Sequence, residues 1–267
     1  MWSKIVIIGA GGVAESLLYN LARHQLHPIA IYNRTRDKAL ALANRYSPST
    51  DVVDQLAKIP LDADGYLFAL SDSAIPEVAS MMPSTGGTWM HTSATVSLET
   101  LTHYHSQSAI FYPLNTFSSH IAVKLEGTPL FYETKSDDAL CYLLSLAKTL
   151  AVRPITSTLE LRRKMHVAAV FSCNFVNHLL TKASFLMEKE GLPFDLLMPL
   201  VEETIRKAFA EAPASVQTGP ARRGDLITIE RHRKELQEMA PDFIPLYDLL
   251  SSSILKQYHS SSSLSHE

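Results

Sequence analysis

The sequence predicts an α/β protein: a mainly parallel, doubly wound sheet over residues 1–155, an all-α domain over 156–259, and a disordered tail over 260–267. Three observations predict it. Short apolar runs alternate with helix-like segments as far as residue 155, strand signals then disappear, and the first strand opens through a glycine turn into a helix.

Lys4-Ile5-Val6-Ile7-Ile8 has the character of a strand buried on both faces. It leads into Gly9-Ala10-Gly11-Gly12-Val13-Ala14 and then into a helically spaced segment from Glu15 to Ala22. This is the G-x-G-x-x-A form of the dinucleotide fingerprint of Rossmann-type sheets, in its required strand, turn and helix setting. Gly9 permits the tight turn, Gly11 lets backbone approach a pyrophosphate, and Ala14 lets helix pack close to strand. Gly9, Gly11, Gly12, Val13 and Ala14 are therefore expected to cradle the phosphates at the helix N-terminus. A second strand, Ile29 to Tyr32, ends about twenty residues further on, where the ribose is read.

An acid at that point would bind the ribose hydroxyls of NAD, but the chain has Asn33-Arg34-Thr35-Arg36 and then Lys38. A guanidinium suits a 2′-phosphate, and a carboxylate would repel it. The expected cofactor is NADP, held by Asn33, Arg34 and Thr35. The alternative is that Arg34, Arg36 and Lys38 only solvate a surface helix.

The remaining elements follow in order. Arg36 to Tyr46 is rich in helix formers and closes at Ser47-Pro48, and Val52-Val53 is a short third strand. Gly65 to Leu70 is a buried strand, followed by a polar turn, Ser71-Asp72-Ser73, suited to capping a helix from Ala74 to Met82. Further strands are read at Gly87 to Ser93, Ala109 to Tyr112 and Pro129 to Glu133. A helix from Asp137 to Leu150 and a strand at Arg153 to Ile155 complete the sheet domain. Helices are then expected over Leu161 to Lys189, Asp195 to Ala212, Leu226 to Met239 and Ile244 to Tyr258.

At 267 residues and 46% hydrophobic content the chain is long enough for two domains with a sizeable core. A formal charge of −3 gives no bias toward nucleic acid or acidic membranes, and no apolar run reaches the length of a membrane span. The N-terminus enters a core strand almost at once, which leaves no room for a signal peptide. Two cysteines, Cys141 and Cys173, are too few for a disulfide scaffold, so the expected compartment is the cytoplasm with both thiols reduced. No metal is assigned.

The segment from Met165 to Leu186 is apolar around much of its circumference, which predicts burial between domains or between the subunits of a homodimer. On a regular helix His166, Asn174, Asn177 and Thr181 fall within an arc of roughly 80°. Facing a nicotinamide, that stripe would make His166 a proton donor and Asn174 or Asn177 an orienting amide. An ordinary solvated face, or a histidine satisfied in a core, would have the same spacing. In Thr218-Gly219-Pro220-Ala221-Arg222-Arg223-Gly224-Asp225 the glycine and proline pairs force a rigid loop between helices. Arg223 or Arg222 is placed to bind an anionic substrate group or a cofactor phosphate, and Asp225 to cap the following helix.

Taken together, the N-terminal fingerprint, the Lys164-Met165-His166-Val167-Ala168-Ala169-Val170 segment with Asn174, and the Thr218-Gly219-Pro220 and Arg223-Gly224-Asp225 loop resemble one family. It is that of Rossmann-like NADP-binding proteins with a helical C-terminal domain of unassigned function, similar to pyrroline-5-carboxylate reductase and deazaflavin-dependent NADP oxidoreductases. The chain departs from the family pattern at Tyr112, where a histidine usually precedes the proline, and at Ala94, where a glycine usually follows the serine. The resemblance implies that strand-end residues Leu70, Ser71, Asp72 and Ser93 also meet the cofactor. It implies cofactor and architecture, and no family substrate carries over; the expected activity is reduction of the C=O or C=N group of a small, anionic substrate, with His166, Asn174 and Arg223 as the catalytic set read from the helix stripe and the loop. A non-catalytic NADP(H)-binding sensor or scaffold is the alternative of a different class.

Overall fold

The structure, a computed structural model, describes residues 4–259; the tail expected to be disordered, 260–267, lies outside the described residues. The first part contains β1 (Ile5–Ile8), α1 (Gly12–Arg23), β2 (Ala30–Tyr32), α2 (Arg36–Tyr46), β3 (Asp51–Val53), β4 (Gly65–Phe68) and α3 (Ala74–Met81). It continues with β5 (Thr88–His91), α4 (Glu99–Thr102), β6 (Ser108–Pro113), β7 (Pro129–Thr134), α5 (Asp137–Thr149) and β8 (Arg153–Thr156). Their eight strands form one sheet in the order β3-β2-β1-β4-β5-β6-β7-β8. All pairings are parallel except β6 with β7.

The first six strands in that order reproduce the doubly wound dinucleotide arrangement, whose switch point lies between β1 and β4. Strands β1, β4 and β5 are buried at every residue, as their unbroken apolar runs require. The sheet separates two cores. One packs Leu17, Leu18 and Leu21 of α1 with Leu143 and Leu146 of α5; the other packs Ile75 and Val78 of α3 with Phe68 and Trp89.

The helical part comprises α6 (Leu159–Ala169), α7 (Phe175–Lys189), α8 (Met198–Ala210), α9 (Pro220–Arg223), α10 (Leu226–Met239) and α11 (Ile244–His259). Pro199 is accommodated in α8 because it lies in the first turn, where its missing N–H has no helical partner to lose. The expected loop between helices contains α9, a single turn begun at Pro220 and stopped by Gly224 in the left-handed conformation, φ 71°.

The single helix expected from Leu161 to Lys189 is instead divided, with a π turn at Val170–Asn174 between α6 and α7. The turn falls in Val170-Phe171-Ser172-Cys173-Asn174, a run of β-branched, aromatic and small polar residues with modest helix propensity. A π turn rotates each residue through less than 100°, so the arc worked out for a regular helix does not carry across it. Thr181 is in any case occupied, its hydroxyl donating to the Asn177 carbonyl at 3.0 Å.

The chain divides into two compact units, one ending at Phe171 and the next beginning at Ser172. Helix α6 thus groups with the sheet rather than with the helices after residue 155. The reason is visible at Arg162, a fully buried residue of α6 whose Nη1 lies 2.6 Å from Glu133 Oε2 on β7 and 3.3 Å from Ser157 Oγ. In this chain α7 has no buried residue, although its apolar circumference predicts burial.

Candidate functional site

The glycine turn is built for close approach. Gly9 sits at φ +118°, where a side chain is strained, and a Cβ there would run into the Ala69 carbonyl beyond β4. Around a Cβ at Gly11 there would be nothing within 4 Å, so that position is kept bare of the protein's own atoms. The first intrahelical hydrogen bond of α1 is donated by Glu15 to Gly11 O at 2.9 Å. The amides of Gly12, Val13 and Ala14 precede it and have no carbonyl four residues back within the helix. An uncluttered glycine, free amides and the positive end of a twelve-residue helix fit a dinucleotide's phosphates.

At the other end of the cradle, Asn33 follows β2 and donates through its side chain to Thr35 O at 2.8 Å, fixing the turn before α2. Arg34 is exposed, and no ion pair neutralises it among the described residues. A free guanidinium beside the ribose position fits a 2′-phosphate.

Leu70, Ser71 and Asp72 leave β4 at the same edge. The helix after them is capped differently from the expectation: no side chain caps α3, and the Ser71 backbone carbonyl takes the Ala74 N–H at 2.9 Å. Ser73 adopts a helical conformation itself, which removes it from capping geometry. Asp72 is instead held by a hydrogen bond from the Thr95 hydroxyl.

Ser93, just beyond β5, is an organiser of its own loop. Its hydroxyl accepts from the amides of Thr95 at 3.0 Å and Val96 at 3.1 Å, and its amide donates to His91 Nδ1 at 3.2 Å. Because Nδ1 accepts, the His91 proton sits on Nε2, 3.3 Å from the Ser97 carbonyl. Burial, with a smaller contribution from the nearby positive charge of Arg162, lowers the His91 pKa to about 4, so the ring is neutral.

Helix α6 meets this edge through His166 and Arg163. Tyr112 near the end of β6 has its hydroxyl 3.5 Å from His166 Nδ1 on α6. Burial pushes the Tyr112 phenol up, and the Asp72 carboxylate adds to the shift, so the hydroxyl keeps its proton. Arg163 ties α6 to the loop beyond Ser93, Nη2 donating to Thr95 O at 3.1 Å. Asp72, Thr95, Tyr112, Arg163 and His166 therefore form one polar group at the strand ends.

Asn174 and Arg223 belong to the second unit. Asn174 is exposed at the start of α7 and caps nothing with its side chain, and Arg223 is exposed at the end of α9. Asp225 caps α10, accepting from Thr228 N at 3.0 Å and from the Thr228 hydroxyl at 2.7 Å. These bonds hold its carboxyl below the usual carboxylate range.

Sequence reasoning missed Tyr112 as a site residue, although its departure from the family histidine marked the position. It missed Arg162 altogether, because Arg162-Arg163-Lys164 reads as a solvated run. Among the described residues no group of three or more His, Cys, Asp or Glu side chains could hold a metal ion, and no helix is long and apolar enough to cross a membrane.

Comparison with known proteins assigns two family models to the chain, the second of which runs across the boundary at Phe171 and Ser172. Residues 2–71 match the shikimate / quinate 5-dehydrogenase model, and residues 128–254 match a domain of unknown function, DUF2520. The crystal structure of a proposed NADP oxidoreductase from Bacteroides fragilis is 34% identical, with 95% of this chain and 98% of that one covered at a TM-score of 0.87. The chain belongs to this oxidoreductase family.

A Thermotoga maritima protein shares the fold at 21% identity and a TM-score of 0.64, over 96% of this chain and 98% of that one. A reductive aminase from Aspergillus terreus, solved with NADPH4, cyclohexanone and allyl amine, shares it at 13% identity and 0.67, over 97% and 95%. Among curated proteins, glutamyl-tRNA reductase of Caldivirga maquilingensis is 38% identical over 69 residues, 26% of this chain. Shikimate dehydrogenase (NADP(+)) of Glaesserella parasuis is 48% identical over 44 residues, 16% of this chain. The matches span only 17% and 16% of those relatives' own lengths.

Proposed function

We propose that this protein is an NADP-dependent oxidoreductase that reduces the C=O or C=N group of a small anionic substrate. The observation that carries the reading is the Tyr112–His166 pair at the edge where β1, β4 and β5 present the dinucleotide cradle. NADPH, when bound, supplies the hydride. The chain's own part is to hold and release a proton. Tyr112 keeps its hydroxyl protonated beside His166, and a proton leaving through either group can be replaced through the other, since both are linked by one hydrogen bond.

Arg34 is assigned to the 2′-phosphate, Ser71 and Ser93 to the nicotinamide end, Asn174 to substrate orientation and Arg223 to the substrate's anionic group. The helical unit supports a further assignment, dimerisation with a second copy of this chain. Leu179 on α7 is 39% exposed, and no residue of that apolar helix is buried. Sedimentation at micromolar concentration checks it, with a dimer expected.

The deciding experiment follows NADPH consumption against a panel of small oxo acids, imines and neutral carbonyl compounds, with NADH in parallel. Turnover of an anionic carbonyl or imine with NADPH is expected. Tight NADPH binding without turnover of any panel member would favour the non-catalytic sensor instead.

A further inference from the structure

The fingerprint needs small residues at Gly9, Gly11 and Ala14, but Gly12 is not one of its positions, and it is glycine for another reason. A Cβ at Gly12 would stand 2.9 Å from the carbonyl carbon and oxygen of Ser118. The long connection between β6 and β7 comes down on the first turn of α1 at this point. Three buried polar side chains of α1 hold it there. Glu15 Oε2 accepts the His120 N–H at 2.8 Å, Ser16 Oγ accepts the Val123 N–H at 3.1 Å, and Asn20 bonds both Val123 O at 2.7 Å and Leu125 N at 3.0 Å. Glu15 also takes Arg45 and the Tyr46 hydroxyl from α2, each at 3.0 Å, so the connection is tied to the helix that follows Arg34.

At its apex the connection closes a turn, 118–121, through a bridge between Ser118 and Ile121. His120 occupies that turn at φ +73°, a conformation that glycine adopts freely and a side chain does not. The side chains of Ser118, Ser119 and His120 are all exposed. A glycine would meet the turn with less strain than a histidine, so the imidazole stands there at a backbone cost.

We propose that the turn 118–121 is a second phosphate-binding element of the NADP site, with the Ser119 hydroxyl and the His120 ring N–H donating to the cofactor's diphosphate beside the first turn of α1. The proposal rests on the NADP reading above. Its chemistry is hydrogen-bond donation to phosphate oxygens, complementing the backbone amides of Gly12, Val13 and Ala14.

Calorimetric titration of the full-length protein with NADPH and with 2′-AMP, which has the 2′-phosphate but no diphosphate, tests it in wild type, His120→Ala and His120→Gly. Both variants are expected to bind NADPH about tenfold more weakly while 2′-AMP affinity stays unchanged. His120→Gly should also melt at or above the wild-type temperature without ligand, because glycine relieves the strained φ. NADPH affinity equal to wild type in His120→Gly overturns the proposal, and so does an equal loss for both ligands. Wild-type protein that binds neither ligand overturns the NADP reading itself, a different result from either of these.

Discussion

The two units solve the problem of covering apolar surface in opposite ways. In the first, β1, β4 and β5 are buried at every residue and helices close both faces of the sheet. In the second, α7 and α8 have no buried residue, and Phe209, Ile227 and Leu249 stand 88%, 78% and 68% exposed. The first unit holds both of the buried cores described above. The second has the amphipathic faces of a packed domain without enough chain of its own to cover them, which is why a partner copy is proposed for it.

Arg162 offers the hardest test of the self-sufficient side of this contrast. Its guanidinium is fully buried, its one carboxylate partner is Glu133, and its Nε and Nη2 have no hydrogen-bond partner among the described residues. Arg162→Ala removes the buried half of a pair whose Glu133 side chain is 26% exposed and should destabilise the first unit by about 2–3 kcal/mol. Denaturant titration measures this, and the loss should not vary with protein concentration, whereas unfolding of the helical unit should shift upward as concentration rises. A concentration-independent second transition would break the comparison.

His91 sharpens it through pH. Its folded pKa lies near 4, and the ordinary histidine value is 6.5. Above about pH 6.5 the ring is neutral in both states, so its contribution to stability is fully present. As pH falls from 6.5 toward 4, the unfolded chain takes up a proton that the buried ring refuses, and stability is lost. The drop is on the order of 3 kcal/mol across that window. Melting curves of wild type and His91→Gln should diverge in slope there, the variant being the flatter.

A smaller effect is expected where α6 meets the sheet edge. His166→Ala should lower turnover by roughly 10² while leaving NADPH affinity and melting temperature unchanged, because an exposed side chain is removed. Tyr112→Phe should lower turnover in the same direction, and the double variant should lose less than the product of the two if they act as one unit. A melting temperature that falls with His166→Ala would assign the residue to folding instead.

The smallest effect belongs to the cofactor's far end. Arg34→Ala should weaken NADPH binding by about 1.5–3 kcal/mol and leave NADH binding alone, reducing the preference between them. Titrations of both nucleotides check it, and equal loss for both would remove Arg34 from the 2′-phosphate.

The fingerprint from Gly9 to Ala14, the order of strands and helices, and the cation-rich turn at Asn33-Arg34-Thr35 were legible in the chain itself. Each depends on neighbours within a few residues, where apolar period, turn chemistry and charge act directly. The capping of α10 by Asp225 was legible for the same reason. What the sequence left open came from residues far apart in the chain. The His166 partner, Tyr112, lies 54 positions away, and no local pattern links them.

The break at Val170–Asn174 and the loss of a continuous polar stripe depend on an i→i+5 turn that a 3.6-residue period does not foresee. The burial of Arg162 and the grouping of α6 with the sheet follow from Glu133, 29 residues back, because a charge leaves water only where a second, distant charge meets it. Gly12 shows the division at one residue. The sequence made it one of three glycines in a turn, and tertiary structure made it the seat of the connection at Ser118, since close backbone approach is a property of two segments together.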